Sequence, residues 1–105
     1  MRARSNKRAV QERLYLLLRA IFLREHPRCE RCGGKATEVH HKAGREGWLL
    51  CFIEHFMAVC RGCHVYIEAH GREAKERGWK YEVTNYDRNQ VEQQARELIA
   101  ANKGG

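Results

Sequence analysis

The sequence has no long apolar run and only one proline. Arg19 interrupts the longest apolar region, residues 14–23, which therefore falls short of the about 18–20 residues that cross a bilayer. The basic start of the chain lacks the short apolar block and small-residue cleavage site of a signal peptide. No internal repeat or linker is present. We therefore expect residues 1–105 to form a single cytoplasmic domain without a membrane span.

Acidic residues are outnumbered, with 13 Asp and Glu against 20 Lys and Arg, for a net charge of +7. This surplus indicates a polyanionic partner such as a nucleic acid, although it could also serve only solubility. A short chain buries a modest core and needs a staple. The five cysteines and six histidines suggest a metal ion, because an odd number of cysteines in a reducing compartment favours metal ligands and thiols over disulfides.

The hydrophobic pattern predicts a small α+β domain. Apolar residues recur at helical spacing over about residues 6–25, with Ser5 as N-cap and Pro27 marking the end. Short strands are expected at residues 36–41 and 56–59, with a polar loop at 42–47 and a loop or short helix at 48–53. Helices are expected at about 63–70, ended by Gly71, and at 72–78, and a last one is capped by Asp87 or Asn89. The core at about 29–70 would thus lie between an N-terminal helix and a C-terminal helical region, about 72–103.

Four cysteines form two Cys-x-x-Cys pairs, Cys29 with Cys32 and Cys60 with Cys63. Two such turns supply the four soft ligands of a tetrahedral zinc site, and glycine after the first pair allows the positive φ of a tight knuckle. A redox pair would need only one such motif, and disulfides suit the expected compartment poorly. A closed site of four thiolates has no open coordination position, so we predict structural zinc. Cys51 is expected to be a buried free thiol.

Histidines cluster between and after the cysteine pairs, in Glu38-Val-His40-His41, at His55 and at His64. They could be spare zinc ligands or polar residues of a basic surface. On a strand, Glu38 and His40 share one face and His41 lies on the other. Both adjacent histidines can therefore serve one site only if the strand ends or bends there, which the loop at 42–47 would allow.

In combination, the motifs Cys29-x2-Cys32, Glu38-x-His40-His41 and Cys60-x2-Cys63-His64 resemble the HNH endonuclease family with its ββα-metal fold. The similarity covers about residues 29–70, and small basic proteins of this layout are similar to nucleases of phages and prophages. The resemblance implies a metal-dependent DNA endonuclease or nickase that leaves 5′-phosphate and 3′-hydroxyl ends. It also implies a catalytic divalent cation (Mg²⁺, Mn²⁺, Ni²⁺ or Zn²⁺), a DNA partner with low sequence specificity and, as further partners, phage packaging proteins in a host cytoplasm.

The resemblance also implies roles for individual residues. His41 takes the place of the general base, and Glu38 that of an acidic residue that supports the active site. His40 and His64 take the places of ligands to the catalytic ion. Because these four residues match the family's motif, we expect them to form one site.

Two positions depart from the family pattern. His55 stands where the family has its middle Asn, and an imidazole there could ligate the ion but cannot replace an amide that donates and accepts. Glu68 stands where colicin-type members carry another histidine. A helix brings positions 64 and 68 to one face, so Glu68 could supply an oxygen ligand, hold another ligand in place or lie in solvent.

Cations near the cysteine pairs are the candidates for phosphate contacts, which position nucleic acid without reading its sequence. They are Arg31, Lys35, Lys42, Arg45 and Arg61. One alternative is a non-catalytic, zinc-stapled DNA-binding or packaging accessory protein whose nuclease site decayed at His55. Another is a zinc-bound interaction domain that uses the apolar segment 48–56.

Overall fold

The computed structural model describes residues 6–103, which form a small α+β fold; the expected cap Ser5 lies outside the described residues. No described helix is long and apolar enough to cross a membrane. The elements are α1 (Asn6–Glu25), β1 (Glu38–His41), two 3₁₀ helices (Gly47–Cys51 and Ile53–His55), β2 (Phe56–Val59), α2 (Arg61–Ala69), α3 (Gly71–Glu76) and α4 (Arg88–Lys103).

The two strands form an antiparallel hairpin in which Glu38 pairs with Val59 and His41 with Phe56. Successive side chains on a strand point to opposite faces, so the hairpin separates two clusters of buried residues. The larger cluster joins α1, α4, the first 3₁₀ helix and one hairpin face, with Leu14, Leu18, Phe22, Val39, Trp48, Leu50, Ala58, Val91 and Ala95 among its members. The smaller cluster lies between the other face, α2 and α3 and contains Cys29, Met57, Val59, Cys63, Ile67 and Ala74.

Several element boundaries differ from the expected ones. Strand β1 begins at Glu38 rather than Ala36, because the Ala36 amide donates to the carbonyl of Pro27 instead of extending the hairpin. Helix α2 begins two residues earlier than expected, at Arg61, with Cys60 as its N-cap. Gly71 was expected to end this helix, but it opens α3, because the backbone breaks at His70.

The C-terminal region contains α3, which ends at Glu76, and α4, which begins at Arg88. Of the two candidate caps for the last helix, Asp87 is confirmed, since its Oδ1 accepts from the Gln90 amide at 3.1 Å. Asn89 lies inside the helix. A side-chain oxygen at this position satisfies an amide that has no partner within the helix.

The segment 48–56 does not offer the exposed apolar surface that the interaction-domain alternative needs. Trp48, Leu50 and Phe56 are buried in the larger cluster, and Phe52 and Ile53 are partly buried against it. Cys51 is also buried, as expected, and its thiol donates to the Gln11 carbonyl at 3.3 Å. Burial raises the pKa of the Cys51 thiol to about 11, so it remains protonated at neutral pH.

Candidate metal centres

Four cysteine sulfurs lie within 4.8 Å of one another, as the spacing of the two pairs predicts. One pair lies on the turn before β1, and the other opens α2, where the Cys60 sulfur accepts from the Cys63 amide at 3.4 Å. Gly33 has a φ of 81°, a conformation that favours glycine and lets the first turn close around Cys32. The group is thus positioned to hold a metal ion such as zinc.

The acidity of these thiols shows why a cation suits them. Burial alone would raise the pKa of Cys29, but amides including that of Cys32 lower it to about 6. At Cys63 the Arg31 guanidinium lowers the pKa, yet burial and the neighbouring sulfur atoms raise it to about 12. The Cys29 thiolate therefore forms readily, while the Cys63 thiol resists ionisation. A soft divalent ion removes this conflict because it stabilises all four thiolates together.

A second group of metal-binding atoms lies on the face of β1 that packs against α2. Ligand atoms of His40, His64 and Glu68 are within 4.8 Å of one another. The Nδ1 atom of His40 is 3.6 Å from the Glu68 carboxylate, and the two imidazole rings are 5.3 Å apart. Glu68 follows His64 by one helical turn, so both side chains face the strand. These three residues could hold a metal ion between strand and helix.

Hydrogen bonds to partners outside this group fix the orientation of the His40 and His64 rings. His40 donates from Nε2 to the Trp79 carbonyl at 2.7 Å, which leaves the lone pair of Nδ1 facing Glu68. His64 donates from Nδ1 to the Glu38 carboxylate at 2.7 Å, which leaves its Nε2 lone pair free. The His64 hydrogen bond lowers the pKa of Glu38, and burial lowers that of His40. Metal-binding histidines are typically held by such partners, which fix the tautomer and the ring orientation.

His41 lies on the opposite face of β1, buried beside the rings of Tyr15 and Phe56 at 5.1 and 4.9 Å. It donates from Nε2 to the Leu50 carbonyl at 3.0 Å, so its lone pair is on Nδ1. Burial lowers the pKa of His41 to about 4, which keeps the ring neutral. Because β1 ends at this residue, His41 lines the same cleft as His40.

His55 does not join the group that the structure assembles from His40, His64 and Glu68 within residues 6–103. Its Nδ1 atom forms a 2.6 Å hydrogen bond with the Tyr81 hydroxyl, and its carbonyl accepts from the Lys42 amide. The expected role of His55 as an ion ligand is therefore not supported by its position. Its contacts instead join the turn after β1 to the segment after α3.

An open cleft of about 860 Å³ is lined by His40, His41 and His64. Its walls carry four cations, Lys42, Arg45, Lys75 and Lys80, against two carboxylates, Glu68 and Glu82. Such a surplus attracts a polyanion.

Of the five cations expected to contact phosphate, Lys42 and Arg45 line this cleft. Arg61 pairs instead with the Glu38 carboxylate at 3.3 Å, at the side of the histidine group. Arg31 packs on the cysteine site, 3.6 Å from the centre of the Tyr66 ring. Lys35 is exposed beside the first cysteine pair, and its backbone forms an isolated antiparallel β-bridge with that of Arg28. The five cations therefore lie in three places: the cleft, the side of the histidine group and the surroundings of the cysteine site.

Sequence reasoning missed several contributors to the site. Trp79 and Leu50 act through backbone carbonyls, which any residue type carries, so no sequence pattern could have indicated them. Lys75 and Lys80 belong to the cleft only because α3 and the segment after it turn back toward β1. Their charge was visible in the sequence, but their location was not.

Comparison with known proteins gives no match to this chain, whether with protein-family models, with curated proteins or with solved structures. The function must therefore be inferred from the chemistry of the residues described above.

Proposed function

We propose that this protein is a divalent-metal-dependent endonuclease of the HNH type, which hydrolyses phosphodiester bonds in DNA. One observation carries the proposal: His40, His64 and Glu68 converge beside a neutral His41 in a cleft with basic walls. Two nitrogens and one oxygen could bind an ion, the neighbouring imidazole could accept a proton, and the walls could hold a phosphate backbone. Together these are the components that phosphodiester hydrolysis needs.

The ion would be held by Nδ1 of His40, Nε2 of His64 and a carboxylate oxygen of Glu68. A divalent cation bound there would stabilise negative charge on the scissile phosphate and the departing 3′ oxygen. Two imidazoles favour Mn²⁺, Ni²⁺ or Zn²⁺ over Mg²⁺, which prefers oxygen ligands. The same set of ligands can bind iron in oxygenases, but the basic cleft and the adjacent base favour a phosphate substrate.

His41 would be the general base. Its Nδ1 lone pair would take a proton from the attacking water, while the Leu50 carbonyl keeps the ring in place and stabilises the imidazolium that forms. Burial keeps the imidazole neutral before the reaction, while the hydrogen bond to Leu50 raises the His41 pKa against burial and so preserves part of its basicity. The base and one ion ligand, His40, occupy adjacent positions of β1, so the same stretch of backbone holds both.

The substrate would lie along the cleft with its phosphates near Lys42, Arg45, Lys75 and Lys80. Contacts of this kind hold DNA without reading its sequence, so we infer low specificity and binding that weakens steeply with salt. The family resemblance supplies the expectation of 5′-phosphate and 3′-hydroxyl ends and of a role in phage DNA processing. The order β1, β2, α2, with one cysteine pair before β1 and the other at the start of α2, is consistent with a ββα-metal unit.

The alternative is a non-catalytic, zinc-stapled DNA-binding or packaging accessory protein. Such a protein would use the same cysteine site and the same basic cleft. It would have no use for a neutral histidine beside a second group of metal ligands. Cleavage, and its dependence on His41, therefore distinguishes the two functions.

The test is plasmid cleavage by the zinc-loaded protein with Mn²⁺, comparing wild type with His41→Ala. We expect the variant to cleave about 10² to 10⁴-fold more slowly, the contribution of a positioned base, with unchanged zinc content and DNA binding. His26→Ala is the matched control, since His26 is exposed at the end of α1, and it should cleave at the wild-type rate. Full activity in His41→Ala would refute the assignment of the base.

A further inference from the structure

Residues 79–80, which we call the strap, contact His40 and Glu68 although they lie outside helices and strands. The Trp79 carbonyl accepts the hydrogen bond from His40 at 2.7 Å. The Lys80 ammonium is 3.8 Å from the Glu68 carboxylate. Two of the three residues that could hold the second ion are thus contacted by consecutive positions of the strap.

The side chain of Trp79 lies on the side of the cluster that contains two of the four cysteines. It packs against the smaller cluster, which includes Cys29 and Cys63, and its amide donates to the Ala74 carbonyl at 2.8 Å. The Arg31 guanidinium is 5.9 Å from the indole centre and donates to the Cys63 sulfur at 3.4 Å. One residue therefore contacts the surroundings of the four cysteines with its ring and His40 with its carbonyl.

Through Trp79, the packing near the four cysteines can affect the orientation of His40 in the second group. A carbonyl can orient an imidazole only while its own backbone is held, and three contacts hold it here. The Trp79 amide donates to the Ala74 carbonyl, the Tyr81 amide donates to the Lys42 carbonyl, and the indole packs against the smaller cluster. Removing the indole removes one of these constraints, so the carbonyl gains freedom and holds the His40 ring less firmly in one tautomer and direction. Changes of this kind in the partners of metal ligands typically lower metal affinity 10 to 100-fold.

We propose that Trp79 is a positioning residue that couples the four-cysteine site to the histidine site. The indole, packed against the cluster that contains Cys29 and Cys63, helps to hold the carbonyl whose hydrogen bond leaves Nδ1 of His40 facing Glu68. This inference rests on the proposed function in so far as His40 is a ligand of that ion. It follows that the order around the zinc site sets the affinity of a site built from other residues.

The test measures Mn²⁺ binding to zinc-loaded protein without DNA, by the electron paramagnetic resonance signal of free Mn²⁺. Mn²⁺ suits imidazole and carboxylate and does not displace zinc from thiolates. We expect Trp79→Leu to bind Mn²⁺ 10 to 100-fold more weakly with zinc retained. The matched control, Trp48→Leu, removes the other tryptophan from the larger cluster and should change the affinity less than about threefold. Wild-type affinity in Trp79→Leu, or an equal loss in both variants, overturns the coupling.

Two further measurements keep the proposal testable. Long-range ¹H–¹⁵N NMR should find the proton of His40 on Nε2 in the wild type and a mixture of tautomers in Trp79→Leu, whether or not Mn²⁺ binds. If Trp79→Leu does not fold, the exposed Arg31→Gln variant decides, with an expected several-fold loss of Mn²⁺ affinity. An unchanged affinity and tautomer in Arg31→Gln would then overturn the coupling. Absence of Mn²⁺ binding in the wild type contradicts the proposed function, whereas a tautomer that ignores Trp79 contradicts the coupling alone.

Discussion

His40 and His41 are neighbours in the chain, yet they lie on opposite faces of β1 and have different surroundings. His40 faces α2 and carries its free lone pair toward Glu68, whereas His41 is buried among the rings of the larger cluster. Each neutral ring donates its single N–H, at Nε2, to a backbone carbonyl. The alternation of a strand thus gives two adjacent residues of one type two separate chemical roles.

The position of His55 leads to a prediction that separates its role from that of a ligand. His55→Asn should bind Mn²⁺ within about twofold of the wild type, because His55 contacts Tyr81 and not the ion-binding group. His64→Ala should lose Mn²⁺ binding, since it removes one of three ligands. Calorimetric titration of zinc-loaded proteins measures both. A large loss in His55→Asn would return this residue to the ligand set.

The sequence predicts the parts of the site that are built from side chains better than the parts that are built from backbone atoms. Cysteine spacing indicates the four-cysteine group, and the family resemblance places His40 with His64, because both depend on side chains of metal-binding types. The carbonyls of Leu50 and Trp79 left no trace in the sequence, since every residue has one. His55 was placed by resemblance among the ligands, but the 3₁₀ turn that carries it directs its Nδ1 to Tyr81.

Helix α1 supports the hairpin from the face opposite the metal centres, and its periodicity was the clearest signal in the sequence. Its expected span, about 6–25, is confirmed because apolar side chains recur on one face and Pro27 follows the end. Short elements were harder to delimit. Helix α2 starts early because the Cys60 sulfur accepts from an amide at its N-terminus, a contact that belongs to metal-site geometry rather than to helix periodicity.

The packing of α1 predicts a contrast between two adjacent leucines. Leu18 is fully buried, whereas Leu17 is 47% exposed. Leu18→Ala should lower the free energy of unfolding by about 2–5 kcal/mol, as expected when a buried leucine leaves a cavity. Leu17→Ala should change it by less than about 0.5 kcal/mol. Urea denaturation followed by circular dichroism measures both, and equal effects would contradict the orientation of α1.

Zinc is expected to decide whether the smaller cluster forms at all. This cluster contains two of the four cysteines and few large apolar side chains, so burial alone stabilises it weakly. We predict one zinc ion per chain, and chelation in denaturant followed by dilution should give a protein that does not recover its helical signal until zinc is returned. Elemental analysis and circular dichroism test this. Full refolding without metal would contradict a structural role for the four cysteines.

The proposed chemistry is tested most directly by the ends that the protein leaves on DNA. Supercoiled plasmid is incubated with the zinc-loaded protein and Mn²⁺, the reaction is stopped with chelator, and DNA ligase is then added to the repurified DNA. We predict Mn²⁺-dependent nicking whose products ligase reseals, since displacement of the 3′ oxygen leaves 5′-phosphate and 3′-hydroxyl ends. Nicks that ligase cannot reseal would contradict the direction of attack, and no nicking with Mg²⁺, Mn²⁺, Ni²⁺, Co²⁺ or Zn²⁺ would contradict the nuclease itself.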